Sequence, residues 1–299
     1  VRERQSQIVL GIDPDPSALW PETDKTHGDE QARGPAGTTP PQQAAAAVVG
    51  HCRALIDATA QACVAVKLQL ARFEVLGTPG VDALATVAEH ARAAGLLVIA
   101  DGKRGDIDVS AQAYAQALLG GVETPFGSVR GLGADLMTVN PLMGRDAIQP
   151  FVTAARAAGA GTLVLVRTSN PGAADVEDLR LTGGEAVWER VAEIVEQLGE
   201  PGIGHEGLSD VGAVVGATEP SHLWRARELM PSAVFLLPGI GAQGGRVEDL
   251  APAFAPGRAG GLVTASRSIA NAHQAAGGSP ADAARAEAER LRAEAWALG

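Results

Sequence analysis

Cysteine is nearly absent from this chain of 299 residues, which has only Cys52 and Cys63. Neither sits in a CxxC or histidine-rich context, which argues against both a disulfide scaffold and a structural zinc site. Basic charge is also in deficit: 24 Lys and Arg face 35 Asp and Glu, a formal net charge of −11. No basic stripe remains to neutralise a phosphate backbone, so the charge balance argues against a nucleic-acid partner. It leaves room for a small anionic ligand, which needs only one or two local cations or a helix N-terminus. Long apolar runs are missing too. None approaches the length of a membrane span, and Val1-Arg2-Glu3-Arg4 lacks the apolar core of a signal peptide. A cytoplasmic protein without membrane contact is the expectation. Because the numbering opens on Val1 and not on Met, a further stretch is expected to precede it.

What the chain does have is a hydrophobic content of 46% and a charged content of 20%, enough for a large core. Short apolar runs recur at Ile8–Ile12, Val64–Leu68, Leu96–Ala100, Leu136–Val139, Thr162–Val166, Ala213–Val215, Val234–Leu237 and Gly261–Thr264. Each is bounded by glycine, proline or charge, as buried strands are. Ala-rich amphipathic stretches lie between them, among them Gln43–Gln61, Val81–Ala94, Asp146–Ala158, Glu185–Gln197 and Ala281–Ala297. Eight strands, each followed by a helical stretch, predict one (β/α)8 TIM barrel over residues 1–299, with a doubly wound open sheet as the alternative. Residues 20–42, rich in proline, glycine, threonine and charge, break the rhythm and read as a long mobile loop.

In such a barrel, chemistry gathers where strands end, because the following loops line one mouth. Those positions hold Asp13, Lys67, Asp101, Lys103, Asn140, Ser169, Asn170, Gln243, Ser266 and Arg267. Asp13 precedes Pro14 and is also a plausible turn starter. Lys67 interrupts an apolar run, so it must find a carboxylate or reach water at the mouth. Arg267, taken alone, reads as a salt-bridge partner. The glycine-rich "LPGIGAQGG" (Leu237–Gly245) after the seventh strand changes that weight, because the last two loops of these barrels often build a phosphate site. In "ADGKRGDID" (100–108), strand alternation sets Asp101 and Lys103 on one side with Gly102 opposite. Asp106, further on, can flank the lysine. A lysine held between carboxylates keeps its proton, which suits a proton donor better than a nucleophilic amine.

These residues resemble the orotidine 5′-monophosphate decarboxylase family. "DGKRGDI" with Ser110 three residues on is similar to its D-x-K-x-x-D-I-x-x-[ST] signature, and the Arg-Gly pair is most like the bacterial subgroup with longer chains. The likeness continues through "LGIDPD" (Leu10–Asp15), "AVKLQ" (Ala65–Gln69), "TVNPLMG" (Thr138–Gly144), "RTSNPGA" (Arg167–Ala173), "LPGIGAQGG" and "TASRSI" (Thr264–Ile269). The resemblance implies a homodimeric barrel that converts orotidine 5′-monophosphate to UMP without metal or organic cofactor. It makes Lys103 the proton donor to C6, flanked by Asp101 and by Asp106 from the partner subunit. Lys67 and Asp13 would hold ribose hydroxyls, Ser169 would read the pyrimidine edge, and Gln243 and Arg267 would grip the phosphate. Ser110 would contact the ribose of the neighbouring site, with Ile107, Asn140, Pro238 and Ser266 completing the substrate contacts. Pro171–Gly184 is where a lid over the pyrimidine would sit.

Two alternatives stay open. A metal-dependent sugar-phosphate decarboxylase or aldolase would share Asp101, Lys103 and Asp106 but lose activity to EDTA. A non-catalytic nucleotide-binding barrel would bind UMP and leave substrate intact.

Overall fold

The computed structural model describes residues 1–21, 38–217, 220–240 and 244–299. Eight parallel strands close into a barrel: β1 (Ile8–Ile12), β2 (Ala65–Gln69), β3 (Leu97–Arg104), β4 (Leu136–Val139), β5 (Gly161–Arg167), β6 (Val211–Val215), β7 (Phe235–Leu237) and β8 (Gly261–Ala265). Each strand pairs with its neighbour in the chain, and Ile8 opposite Val263 closes β1 onto β8. β1, β6 and β8 are buried at every position. A strand covered on both faces needs apolar residues throughout, which is why these read as continuous runs and not as alternation.

Helices α1 (Pro40–Thr59), α2 (Thr78–Ala93), α3 (Asp108–Leu118), α4 (Arg145–Ala158), α5 (Val187–Gly199), α6 (Pro220–Leu229) and α7 (Pro280–Leu298) follow the strands. Between β7 and β8 the helical position is taken by a 3-10 stretch, Val247–Phe254. The pattern in α4 shows why these segments coil. Ala147, Ile148, Phe151, Val152 and Ala155 recur at three- and four-residue spacing and form its buried face. Gly159 then ends the helix at φ +68°, a conformation that costs residues with a Cβ.

The open-sheet alternative is excluded by the closed ring, two further expectations need correction, and one element is new. The third strand does not stop at Ala100 but runs on to Arg104, so Asp101, Lys103 and Arg104 lie on the strand while Asp106 follows it. A two-stranded hairpin, Gly121–Thr124 with Gly127–Arg130, stands outside the barrel and was not foreseen. The expected loop 20–42 also gives way to helix before its C-terminal bound. Pro40, Pro41 and Gln42 form the first turn of α1, where a missing N–H costs nothing and the Gln42 side chain accepts from the Thr39 N–H at 2.8 Å. Trp20 is buried, and its indole N–H donates to the Ala270 carbonyl at 2.8 Å. Its backbone N–H donates to His51 Nδ1 at 3.1 Å, and burial pushes that imidazole down to about 4, leaving the nitrogen free to accept. The rest of the expected loop, 22–37, lies outside the described residues.

Candidate active site

Alternation along β2 turns Ala65 and Lys67 into the barrel, and along β3 it turns Ile99 and Asp101 the same way. Lys67 and Asp101 are both buried, and Lys67 Nζ lies 2.5 Å from Asp101 Oδ2. Its other neighbour is Asp13 Oδ1 at 3.8 Å, on the loop leaving β1. Lys103 Nζ reaches the second oxygen of Asp101, Oδ1, at 2.6 Å. Thr138 Oγ1 on β4 donates to that same oxygen at 2.9 Å, and the Gln69 amide approaches Oδ2 at 3.4 Å. Burial on its own would push the Asp101 carboxyl up. The charges of Lys67 and Lys103, with the hydrogen bonds from both ammonium groups, outweigh burial and hold it below the usual carboxylate range. One buried carboxylate thus carries two ammonium groups. The pairing offsets the cost of placing charge in a dry site.

Lys103 itself is strained. Its φ is +47°, a left-handed backbone that non-glycine residues seldom adopt and that costs roughly 1–3 kcal/mol. The strain sits at a bulge in β3: Ala100 pairs with Met137 and Arg104 with Val139, and the register slips between them. The bulge aims the Lys103 side chain, 44% exposed, into the mouth instead of into the β-sheet ladder.

The cavity these groups line has a volume of about 410 Å³. Its far wall brings together Ser169 after β5, Pro238 after β7, and Ser266 and Arg267 after β8. The closeness of β1 and β8 depends on Gly11, where a Cβ would fall 1.7 Å from Ser266 Oγ. Arg267 makes no ion pair among the described residues, so the salt-bridge reading of it is not what the structure displays. The buried Thr264 hydroxyl also lines the cavity and has no hydrogen-bond partner among the described residues. Gln243 lies outside the described residues, as do Gly241 and Ala242 of the glycine-rich loop.

Four expected residues do not reach this cavity within the chain. Asp106 Oδ1 accepts the Ile107 N–H at 2.8 Å, and Ile107 and Ser110 lie exposed at the start of α3. Asn140 caps a turn by accepting the Leu142 N–H at 3.0 Å, and it lines an adjoining apolar cavity of about 330 Å³. The segment Pro171–Gly184 folds back on β5: Arg167 donates twice to Asp178 at 2.9 Å, and Glu177 takes the Thr168 N–H at 2.8 Å and its hydroxyl at 2.9 Å. Thr168, Gln69 and Thr138 line the cavity without having been singled out from the sequence. The signal for two of them was there in the period of two: Gln69 follows Lys67 by two residues, and Thr138 follows the inward-facing Leu136 by two. Among the described residues no group of three or more His, Cys, Asp or Glu is placed to hold a metal ion.

Fold and site together define a (β/α)8-barrel enzyme with a charged, anion-ready cavity at the C-terminal ends of its strands. The chain belongs to the orotidine 5′-phosphate decarboxylase / HUMPS family, whose model matches residues 10–284. It is 46% identical to an orotidine 5′-phosphate decarboxylase of Deinococcus radiodurans, over 80% of this chain and 82% of that one. A protein of the same name from Rhodopirellula baltica is 44% identical over 77% of this chain and 75% of its own. Among solved structures, Leishmania donovani OMP decarboxylase superposes with a TM-score of 0.70 at 31% identity, covering 98% of this chain and 96% of the other. On these relationships the chain is an enzyme of the carboxy-lyase class.

Proposed function

We propose that this chain decarboxylates orotidine 5′-monophosphate to UMP, the closing step of pyrimidine nucleotide synthesis, by electrostatic stabilisation of a C6 carbanion. Breaking the C6–carboxylate bond releases carbon dioxide and leaves an electron pair in the plane of the ring, where no π system delocalises it. Stabilisation must therefore come from fixed charge in a site that excludes bulk water. The Lys103 ammonium supplies that charge and then gives its proton to C6, so that the product gains one hydrogen where the carboxylate left. Lys67 and Asp13 hold ribose hydroxyls, Ser169 reads the pyrimidine edge, and Arg267 with Gln243 grips the phosphate. Phosphate binding, far from C6, contributes energy that orders the loops around the reacting carbon.

The observation that carries this reading is the array Lys67–Asp101–Lys103, two ammonium groups on one buried carboxylate, in a chain of this family. A lysine so placed is charged and aimed, which a carbanion requires and a Schiff base does not.

The working unit in this proposal is a homodimer with shared sites. Asp106 crosses to complete the partner's charge array, and Ile107 and Ser110 approach the partner's substrate. Two features support it. Among the described residues, no lysine of its own chain pairs with Asp106. Near it in the chain Val109 is 79% exposed and lines a groove of about 970 Å³ between α3 and α4, an apolar side chain left facing water.

The test is the fall in ultraviolet absorbance as orotidine 5′-monophosphate is consumed, with EDTA present. Turnover that survives EDTA supports the proposal. Turnover abolished by EDTA shows a metal requirement and overturns the metal-free reading, and UMP binding without any turnover points to a nucleotide-binding barrel.

A further inference from the structure

We propose that Thr138 is a positioning residue: its single hydroxyl fills the bulge in β3 and fixes the Lys103 ammonium for proton transfer. The inference rests on the decarboxylase reading above and deepens it.

The bulge sets three residues of β3, Asp101 to Lys103, against Thr138 alone on β4. A strand that swells this far leaves amides without ladder acceptors, and a buried amide needs a partner. Thr138 Oγ1 accepts the Lys103 N–H at 2.9 Å and donates its own proton to Asp101 Oδ1 at 2.9 Å. A hydroxyl has one proton to give and lone pairs to receive, so both bonds hold at once. Asp101 Oδ1 also takes Lys103 Nζ at 2.6 Å. The result is a closed ring of hydrogen bonds. Lys103 is held at its backbone amide by the hydroxyl and at its ammonium by the carboxylate, and the hydroxyl and carboxylate are bonded to each other.

Three properties make this bracket stiff. Thr138 is 1% exposed, so water does not compete for its bonds. A β-branched side chain has little χ1 freedom on a strand. The backbone it holds is the left-handed one at φ +47°, which without a restraint would relax towards the extended form and swing the ammonium away. A displacement of that kind degrades the step Lys103 performs and leaves the phosphate and ribose contacts, on other strands, in place.

The experiment compares wild type, Thr138→Ser and Thr138→Val for kcat and KM on orotidine 5′-monophosphate, together with hydrogen exchange of the Lys103 amide by NMR. Thr138→Val keeps the shape and removes the hydroxyl. Its kcat is expected to fall roughly 10- to 100-fold, the range for losing a hydrogen bond to a charged group, with KM within about threefold and faster exchange at Lys103. Thr138→Ser keeps the hydroxyl and is expected to stay within about threefold of wild-type kcat. Should Thr138→Val fail to fold, Thr138→Ala removes the same hydroxyl and carries the same test. A Thr138→Val enzyme with wild-type kcat overturns the proposal. So does a loss confined to KM, or a Thr138→Ser variant as impaired as Thr138→Val, which would assign the effect to packing of the methyl group. If the wild type leaves orotidine 5′-monophosphate intact, the decarboxylase reading is the one that fails. The amide exchange then still decides whether Thr138 holds Lys103: faster exchange in the variant supports the bracket, and unchanged exchange overturns it.

Discussion

The inside of this barrel has two ends that share the same strands and have opposite chemistry. Towards the N-terminal ends, the inward positions are Val9, Ala65, Ile99, Leu136, Leu163, Val214, Leu236 and Leu262, an apolar cluster. Two residues further along, the same alternation delivers Gly11, Lys67, Asp101, Thr138, Leu165, Gly216, Pro238 and Thr264. One step of the pleat therefore separates an apolar plug, whose Val214 and Leu236 form the floor of the cavity, from the charged mouth above. The plug is cheap in polar terms because nothing in it needs a hydrogen bond. The mouth is costly: it holds a buried carboxylate and two ammonium groups, one of them on a lysine with a strained backbone, and it is tolerated because the plug beneath and the helices around over-determine the strands. Stability and chemistry are thus divided along the strand and not between domains.

That division can be broken first at the mouth. Lys103→Ala is expected to lower kcat at least about 10³-fold, the upper range for losing one electrostatic donor. Its thermal stability should stay within about 1 kcal/mol of wild type, because Lys67 still pairs with Asp101 and the Lys103 side chain is partly exposed. A variant with a tenth of wild-type kcat would mean that the proton comes from elsewhere. The reciprocal change is Leu163→Ala in the plug, where the side chain is 1% exposed. Chemical denaturation should show a loss of about 2–5 kcal/mol, with kcat per folded molecule near wild type. Equal damage to stability and kcat would show that the two ends are coupled.

A smaller effect sharpens the mouth itself, dividing the end that reacts from the end that holds. Arg267→Ala should weaken binding of the phosphorylated substrate by roughly 1.5–3 kcal/mol, and weaken binding of orotidine without its phosphate far less. The expectation follows from a guanidinium that faces the cavity with no ion pair among the described residues. Titration with both ligands decides it. Equal losses would place the phosphate elsewhere and make Arg267 structural.

The two ends also differ in how well they could be read. The ring of strands was legible because parallel strands buried on both faces are unbroken apolar runs, and the eight expected runs overlap the eight barrel strands. Lys67 was legible as a misfit in such a run, and the structure gives it Asp101. The mouth was harder, since alternation assumes a regular pleat and β3 departs from one. That Asp101 and Lys103 share a side was foreseen, but the φ of +47° and the slipped register were not. The inward side of Thr138 was readable from the period of two after Leu136, but its importance comes from the gap opposite it, which no local pattern records. The hairpin at Gly121–Arg130 was missed because Val122 and Val129 are exposed on it and bury no face that would impose a readable period.

Asp106 marks where the single chain stops explaining the mouth, and the last test uses that boundary. If Asp106 completes the neighbour's array, every working site needs Lys103 from one chain and Asp106 from the other. Homodimers of Lys103→Ala are then inactive in both sites, and homodimers of Asp106→Ala are impaired in both. In a mixed dimer one site collects both substitutions and the other collects neither. Random reassortment of equal amounts makes about half of the dimers mixed, each with one intact site of two, so activity should return to roughly a quarter of wild type, given a twofold symmetric pair. If Asp106 serves its own chain, every site carries one substitution whatever the pairing, and mixing restores nothing. The two variants are dissociated together, reassembled and assayed, with subunit exchange followed independently by a mass tag on one of them. Recovery near a quarter places Asp106 across the interface. No recovery after confirmed exchange confines it to its own chain, and its distance from Lys103 there would remove it from the charge array altogether.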